Sequence, residues 1–423
     1  MAAHTGSSIF SGRFRTKFGE ADVADIVDLR QMRRASGRDV ATTRAGREAA
    51  PHEPTPTPIT SVDGGEWRGL AERAVEPNGY YLPDWELAVN ATAPGRTGAG
   101  ALSAFGDNRL IGLMPVVPLA RAAKIPLPAL ASAHPYGTLC TPLLDRDLPE
   151  HAASHLMQAA RDAGARALLL REITLDGATM KAFHAVLRGE GLRARVLNWH
   201  LRASLDATRN ADELLREALS AKKLKELRRQ RHRLAEHGAV RFDVARSPEA
   251  VARALEVFLK LEASGWKGKR GTALAQTDGD AAFIRRATAA LAATGQCEIV
   301  TLSAGETAVA AGIVLRHQSR AFFFKIGVDE RFAKYSPGVQ LALELTRHLC
   351  ADPAIASADS TASPDHPMIN PVWRGRCAIG DVLIPLKPND PVVVLIHAAL
   401  LARQTARDVA RRGVRLIRRE RKR

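Results

Sequence analysis

The sequence predicts an α/β fold of two tandem units, each a mixed, mostly antiparallel sheet flanked by helices. Two observations predict it. A hairpin pattern occurs twice, over 101–117 and 297–315, each time as two apolar runs split by a short turn, Gly106-Asp107-Asn108 and Ala304-Gly305-Glu306. In each, the second strand carries a glycine among apolar residues, Gly112 and Gly312. Each hairpin is followed by a helix and then a strand, at 149–163 and 166–172 in the first half and at 336–350 and 355–360 in the second. Two copies of one α/β unit account for this most simply.

The remaining elements fall around that repeat. Residues 1–60 read as a flexible leader, because the stretch PHEPTPTPIT at 51–60 is too rich in proline to be a packed helix. Helices are expected at 66–75 and at 83–89, the second with Pro83 in its first turn. The first unit then spans 61–204 and the second 205–390, with a basic helix or tail at 391–423. Between the hairpins, 211–237 reads as one basic helix with Leu224, Leu227 and Leu234 on one face. A further helix at 249–263 has Ser247 as N-cap, Pro248 at the first position and a core stripe of Val251, Leu255, Phe258 and Leu261.

Composition excludes several classes. The four cysteines, Cys140, Cys297, Cys350 and Cys377, are scattered without metal-ligand spacing, which argues against a zinc site and a secreted disulfide framework. No metal site is expected. Residues 1–50 hold no apolar signal core, and the apolar run near 392–402 is too short to span a bilayer, so a soluble cytoplasmic protein is expected. The net charge is +16, and two runs carry most of it: +5 over 220–237 and +8 over 391–423, thirteen of the sixteen. Neither run contains an aromatic residue, which weakens a stacking site for single-stranded nucleic acid. No specific nucleic acid is expected as partner, and the basic tail suits peripheral contact with an anionic membrane.

Chemistry is most legible at 321–350, AFFFKIGVDERFAKYSPGVQLALELTRHLC. A strand at 321–328 leads through a polar loop to a helix opened by Ser336-Pro337-Gly338. Ser336 is placed to cap and Pro337 suits the first position. Gly338 lets a ligand approach the backbone, and the amides of Gly338, Val339 and Gln340 lack partners within the helix. With Lys334 just before it, such a helix start suits a pyrophosphate. Neither a Walker A loop nor a GxGxxG fingerprint is present, so nucleotide hydrolysis and hydride transfer lose support.

The runs SAKKLKELRR (220–229), LEASGWKG (261–268), FFKIGVDE (323–330), YSPG (335–338), Asp359 and NPVWRGR around Trp373 resemble the BioF2-like acetyltransferases, which include the CelD-type proteins of cellulose and exopolysaccharide loci. The resemblance is clear over about 205–385 and looser over 60–200. It implies the GNAT fold, and similarity to Fem-type ligases, which carry two such folds in tandem. It also implies acyl transfer from acetyl-CoA or another acyl-CoA to an amine on a small molecule or sugar. The pyrophosphate then maps to Tyr335, Ser336, Pro337, Gly338 and Val339, and a backbone amide near Gly327 or Val328 holds the thioester oxygen. A carboxylate or water must take the amine proton. Asp359 and Glu262 are favoured for this, with Asp329 as a third candidate. Lys325 sits in an apolar strand, where alternation gives it a face shared with Phe323 and Gly327, and it is a candidate to pair with a carboxylate. Tyr335 is a candidate acid for the departing thiolate. Trp266, Lys267, Asp329 and Trp373 are candidates for the acceptor side. A Fem-like aminoacyl-tRNA-dependent transferase and a non-catalytic component of a polysaccharide synthesis complex are the competing readings.

Overall fold

A sheet of thirteen strands runs through the computed structural model, which describes residues 55–420. The first half of the chain contributes β1 (Thr57–Pro58), α1 (Gly64–Glu72), α2 (Pro83–Thr92), β2 (Gly100–Gly106), β3 (Arg109–Pro118), α3 (Leu119–Ala123), β4 (Ala129–Ser132), β5 (Leu143–Leu144), α4 (Pro149–Asp162), β6 (Ala167–Thr174), α5 (Ala178–Gly189) and β7 (Arg195–Asp206). The second contributes α6 (Ala211–Ala218), α7 (Ala221–Leu234), β8 (Val240–Ala245), α8 (Pro248–Ser264), α9 (Trp266–Lys269), α10 (Asp278–Ala293), β9 (Cys297–Ala304), β10 (Thr307–His317), β11 (Arg320–Val328), α11 (Pro337–Cys350), β12 (Ser357–Asp359), β13 (Gly375–Pro385) and α12 (Pro391–Glu420). Of the expected leader, 1–54 lies outside the described residues. Its end is not loose: Thr57 and Pro58 pair with β2, and Ile59 is fully buried.

Both hairpins form as read. The first turns on Asp107 and Asn108, both left-handed, and the second on left-handed Gly305. The repeat extends further than local pattern reveals. In each half the hairpin is joined by an antiparallel third strand (β4, β11), then by a helix (α4, α11) and a strand parallel to the third (β6, β12). The last strand of each half then crosses over. β13 pairs with β6 of the first half and β7 with β12 of the second, and β7 and β13 pair with each other. The central order β4-β6-β13-β7-β12-β11 is therefore symmetric about the β13–β7 seam.

The basic segment 211–237 is two helices rather than one. Leu219 is extended, and the Ser220 hydroxyl accepts from the Lys223 amide, so a fresh N-cap interrupts the run. Leu227 and Leu234 are buried, as the leucine stripe requires. Ser247 caps α8 by accepting from the Ala250 amide, and the four core positions expected of α8 are buried.

Helices cover both sheet faces. Around β9–β11, α8, α10 and α2 cover one face and α7 and α11 the other. Aromatic residues are few, and several meet where the halves join. Trp85 contacts Phe283 and Phe324 edge-on, and Tyr80 contacts Phe322. Among the described residues no helix is long and apolar enough to cross a membrane.

Candidate active site

The site is set by where β11 and β12 part. They pair in parallel for three residues, ending at Phe322 with Asp359, and β11 runs on to Val328 alone on that edge. The amide of Asp329 donates to Val309 O on β10 (3.0 Å). Strand alternation therefore turns the Val328 amide to the opposite edge, into the opening. The chain covers part of that edge itself. Thr361 Oγ1 donates to Phe323 O (2.7 Å), and Lys267 Nζ donates to Ile326 O (3.1 Å).

A bulge alters the face expected for Lys325. Ile313 pairs with Lys325 and Val314 with Phe323, so Phe324 is the extra residue. Phe323 consequently faces α11, while Phe324 and Lys325 both face α8 and α10. Lys325 thus shares its face with Gly327 but not with Phe323. At Gly327 a Cβ would lie 2.9 Å from the Glu262 amide and 3.1 Å from Phe258 O. Glycine there lets α8 lie against the strand and brings Glu262 to Lys325.

Glu262 is the centre of this cluster. Its side chain is fully buried, its Oε1 accepts from Lys267 Nζ (3.0 Å) and Lys325 Nζ (3.4 Å), and its Oε2 accepts from the Leu274 amide (2.9 Å). Burial pushes the Lys325 ammonium below its usual value, against the opposing pull of Glu262. Tyr136, from the first half, lies with its ring 5.7 Å from Lys325 Nζ and stacks on Phe283. The Arg96 guanidinium lies 4.3 Å over the Tyr136 ring. Nothing in the local sequence signals Tyr136, because its segment reaches the site across the junction of the halves.

Asp359 lies elsewhere, in the seam. It is 4% exposed; Oδ2 accepts from Arg202 Nη1 (3.3 Å) and Oδ1 from the Thr361 amide (2.7 Å). Arg202, itself 1% exposed, also donates to Glu172 Oε2 (3.0 Å) and Thr138 O (2.7 Å). The structure therefore separates the two favoured carboxylates: Glu262 joins Lys325 and Lys267, while Asp359 is held by Arg202 from β7. Asp329 serves its own turn, accepting from the Arg331 amide and guanidinium, which hold its carboxyl below the usual range.

The start of α11 differs from expectation in three details. Ser336 is left-handed (φ 53°) and gives no side-chain cap, because it also closes the preceding 3-10 turn through Ser336 N to Ala333 O. A Cβ at Gly338 would lie 2.9 Å from Met368 Sδ and 3.3 Å from Val328 Cγ2, so the glycine serves close packing of helix on strand. Pro337 stands at the helix start as read; the Gln340 amide, expected without a partner, donates to Ser336 O (3.0 Å), and no side chain caps the amides of Gly338 and Val339.

Tyr335 and Trp373 belong to the α11 face, not to the Glu262 cluster. Tyr335 Oη lies 3.0 Å from His237 Nε2, and the ring lines a hollow of about 240 Å³ with His237, Thr307, Arg331, Phe332 and Lys334. The Lys334 ammonium stands 4.8 Å over the Tyr335 ring. Trp373 is fully buried and donates its indole N–H to Thr346 Oγ1 (2.9 Å), which is core packing rather than a pocket wall. The side chain of Trp266 lies outside the described residues.

In the first half the equivalent opening, between β4 and β6, is filled by the chain. The Arg171 amide donates to Ser132 Oγ (2.8 Å) and the Cys140 amide to Glu172 O (3.1 Å). The segment that fills it is the one that carries Tyr136.

Residues 221–365 match the family model described as "Acetyltransferase (GNAT) domain", which covers β9–β12, α11 and the Glu262 cluster. A solved structure of FemX is similar over 79% of this chain and 98% of its own, with 11% identity and a TM-score of 0.52. L-PGS from Bacillus licheniformis aligns over 84% of this chain and 99% of its own (14% identity, TM-score 0.48). A tandem GNAT protein from the clavulanic acid biosynthesis pathway aligns over 79% and 99% (14% identity, TM-score 0.39). No curated protein matches the chain in sequence. Residues 221–365 thus match a GNAT acetyltransferase-type domain, set within a mixed α/β fold.

Proposed function

We propose that this protein moves an acyl group from acyl-CoA to an amine acceptor in the opening between β11 and β12. The observation that carries this reading is the start of α11, which opens beside the free edge of β11 with no cap from the protein's side chains. The amides of Gly338 and Val339 there suit a diphosphate, and the Val328 amide faces the same opening. The bound thioester supplies an activated acyl carbon. The Val328 N–H stabilises the oxygen that gains charge as the amine attacks. The C–N bond forms, the C–S bond breaks, and the amine gives up a proton.

Glu262 is the better of the two favoured carboxylates to take that proton. Lys267 bridges it to Ile326 O, two residues from the Val328 amide. Asp359 is committed to Arg202. Lys325 and Lys267 hold the Glu262 carboxylate in place. The acetyl group is the acyl unit to test first, and an amino sugar of an exopolysaccharide precursor is the acceptor class in keeping with the CelD-type resemblance.

The reading is tested by calorimetric titration with acetyl-CoA and by release of CoA thiol in the presence of a panel of amines. Micromolar binding and amine-dependent thiol release are expected. Failure to bind any acyl-CoA, together with binding of aminoacyl-tRNA, overturns it. Glu262→Gln should lower kcat/KM by about 10²-fold or more. Lys325 also makes the rate pH-dependent. Burial favours its neutral form, so it discharges below 10.5, and activity should fall on that alkaline limb as the Glu262 pair loosens. In Lys325→Met the limb should disappear from the kcat/KM profile. The stability term has the opposite sign: Lys325 binds its proton less tightly when folded, so its contribution grows as pH rises and is complete above 10.5.

A further inference from the structure

We infer that α12 is a membrane-surface helix that holds the protein on an anionic lipid bilayer. This inference is independent of the acyl-transfer reading. α12 spans thirty residues, Pro391–Glu420, and among its described side chains those buried on the sheet lie near its beginning. Val393, Ile396 and Leu400 are buried against Leu169 and Leu383 of the sheet, and His397 Nδ1 lies 3.2 Å from Arg195 Nη1 on β7. The outward side is apolar as well. Val394 is 56% exposed, Leu395 55%, Leu401 36% and Val409 64%. These make up half of the eight large hydrophobic residues exposed among the described residues.

Charge identifies what covers this face. Residues 403–423 hold ten Lys or Arg against Asp408 and Glu420, a net +8. A helix with one apolar side and a dense set of cations lies in the headgroup layer of an anionic bilayer, where apolar side chains enter the acyl boundary and the cations meet phosphates. A nucleic acid would satisfy the cations but leave Val394, Leu395, Leu401 and Val409 in water, and no aromatic residue lies in 391–423 to stack on bases. α12 is not apolar enough to cross the bilayer, so it lies on the surface.

The test is flotation of the full chain with vesicles of phosphatidylcholine alone or with phosphatidylglycerol added. Binding is expected only with the anionic lipid and should weaken as salt rises. A chain ending at residue 402 should lose at least about a hundredfold in partitioning. The triple variant Val394→Gln, Leu395→Gln, Val409→Gln keeps every charge and should lose roughly tenfold. Circular dichroism and light scattering of both variants report whether the fold is kept. Three results would each overturn the inference: unchanged binding after truncation, unchanged binding by the triple variant, which would mean charge alone acts, or a dimer in solution that the triple variant dissolves, which would mean a second copy covers the face.

Discussion

Replacing Arg202 by leucine is expected to destabilise the fold by about 3–5 kcal/mol, the usual cost of leaving a buried charge without its partner. Arg202 stands on β7, where the two halves exchange strands, and it is 1% exposed. It holds Asp359 of the second half and Glu172 of the first, and its remaining donation goes to Thr138 O. Without it both carboxylates face the seam unpaired. Burial already pushes the Glu172 carboxyl above its ordinary value, and Arg202 opposes that rise. The variant should therefore recover part of its deficit as pH falls through the carboxylate range, where the Glu172 carboxyl takes up its proton. Urea denaturation at neutral and acidic pH checks this. Changing Asp359 to leucine in the same variant removes one stranded charge and should restore part of the loss; a purely additive double variant would show that the ion cluster does not join the halves.

That cluster also marks what the sequence could not reveal. The hairpins, α8 with its Ser247 cap, and α11 as a helix opened by Pro337 were legible because each is written in neighbouring residues. The exchange of β7 and β13 was not, since it depends on pairings more than 150 residues apart in sequence, such as Gly375 with Ser204. Arg202, one of two arginines in β7, carried no signal before its partners came together. The bulge at Phe324 was equally hidden, and strict alternation put Lys325 on a face with Phe323 that the strand does not keep. Glu262 and Lys325 were nonetheless both recognisable as candidates, because a lysine inside an apolar strand requires a partner. Asp359 was recognisable as a candidate at a strand end, but its burial and its partner were not. The seam, rather than either half alone, decides what that carboxylate does.

The second large effect concerns ligand rather than fold. Val339→Asp should weaken acetyl-CoA binding by about a hundredfold, the scale of one like charge brought within a few Å of a diphosphate at reduced dielectric. The position separates binding from stability. Val339 lies in the first turn of α11, where a carboxylate interacts favourably with the helix dipole, a gain of about 0.3–1 kcal/mol that offsets the loss of partial apolar packing. The fold should survive while the amides meant for phosphate acquire an anion of their own. Val339→Asn, of similar size and without charge, should bind acetyl-CoA within a few-fold of the native chain. Calorimetric titration of the three proteins, with urea midpoints measured alongside, decides the matter: equal affinities for the aspartate and asparagine variants would place the diphosphate away from α11 and remove the basis for locating the thioester between β11 and β12.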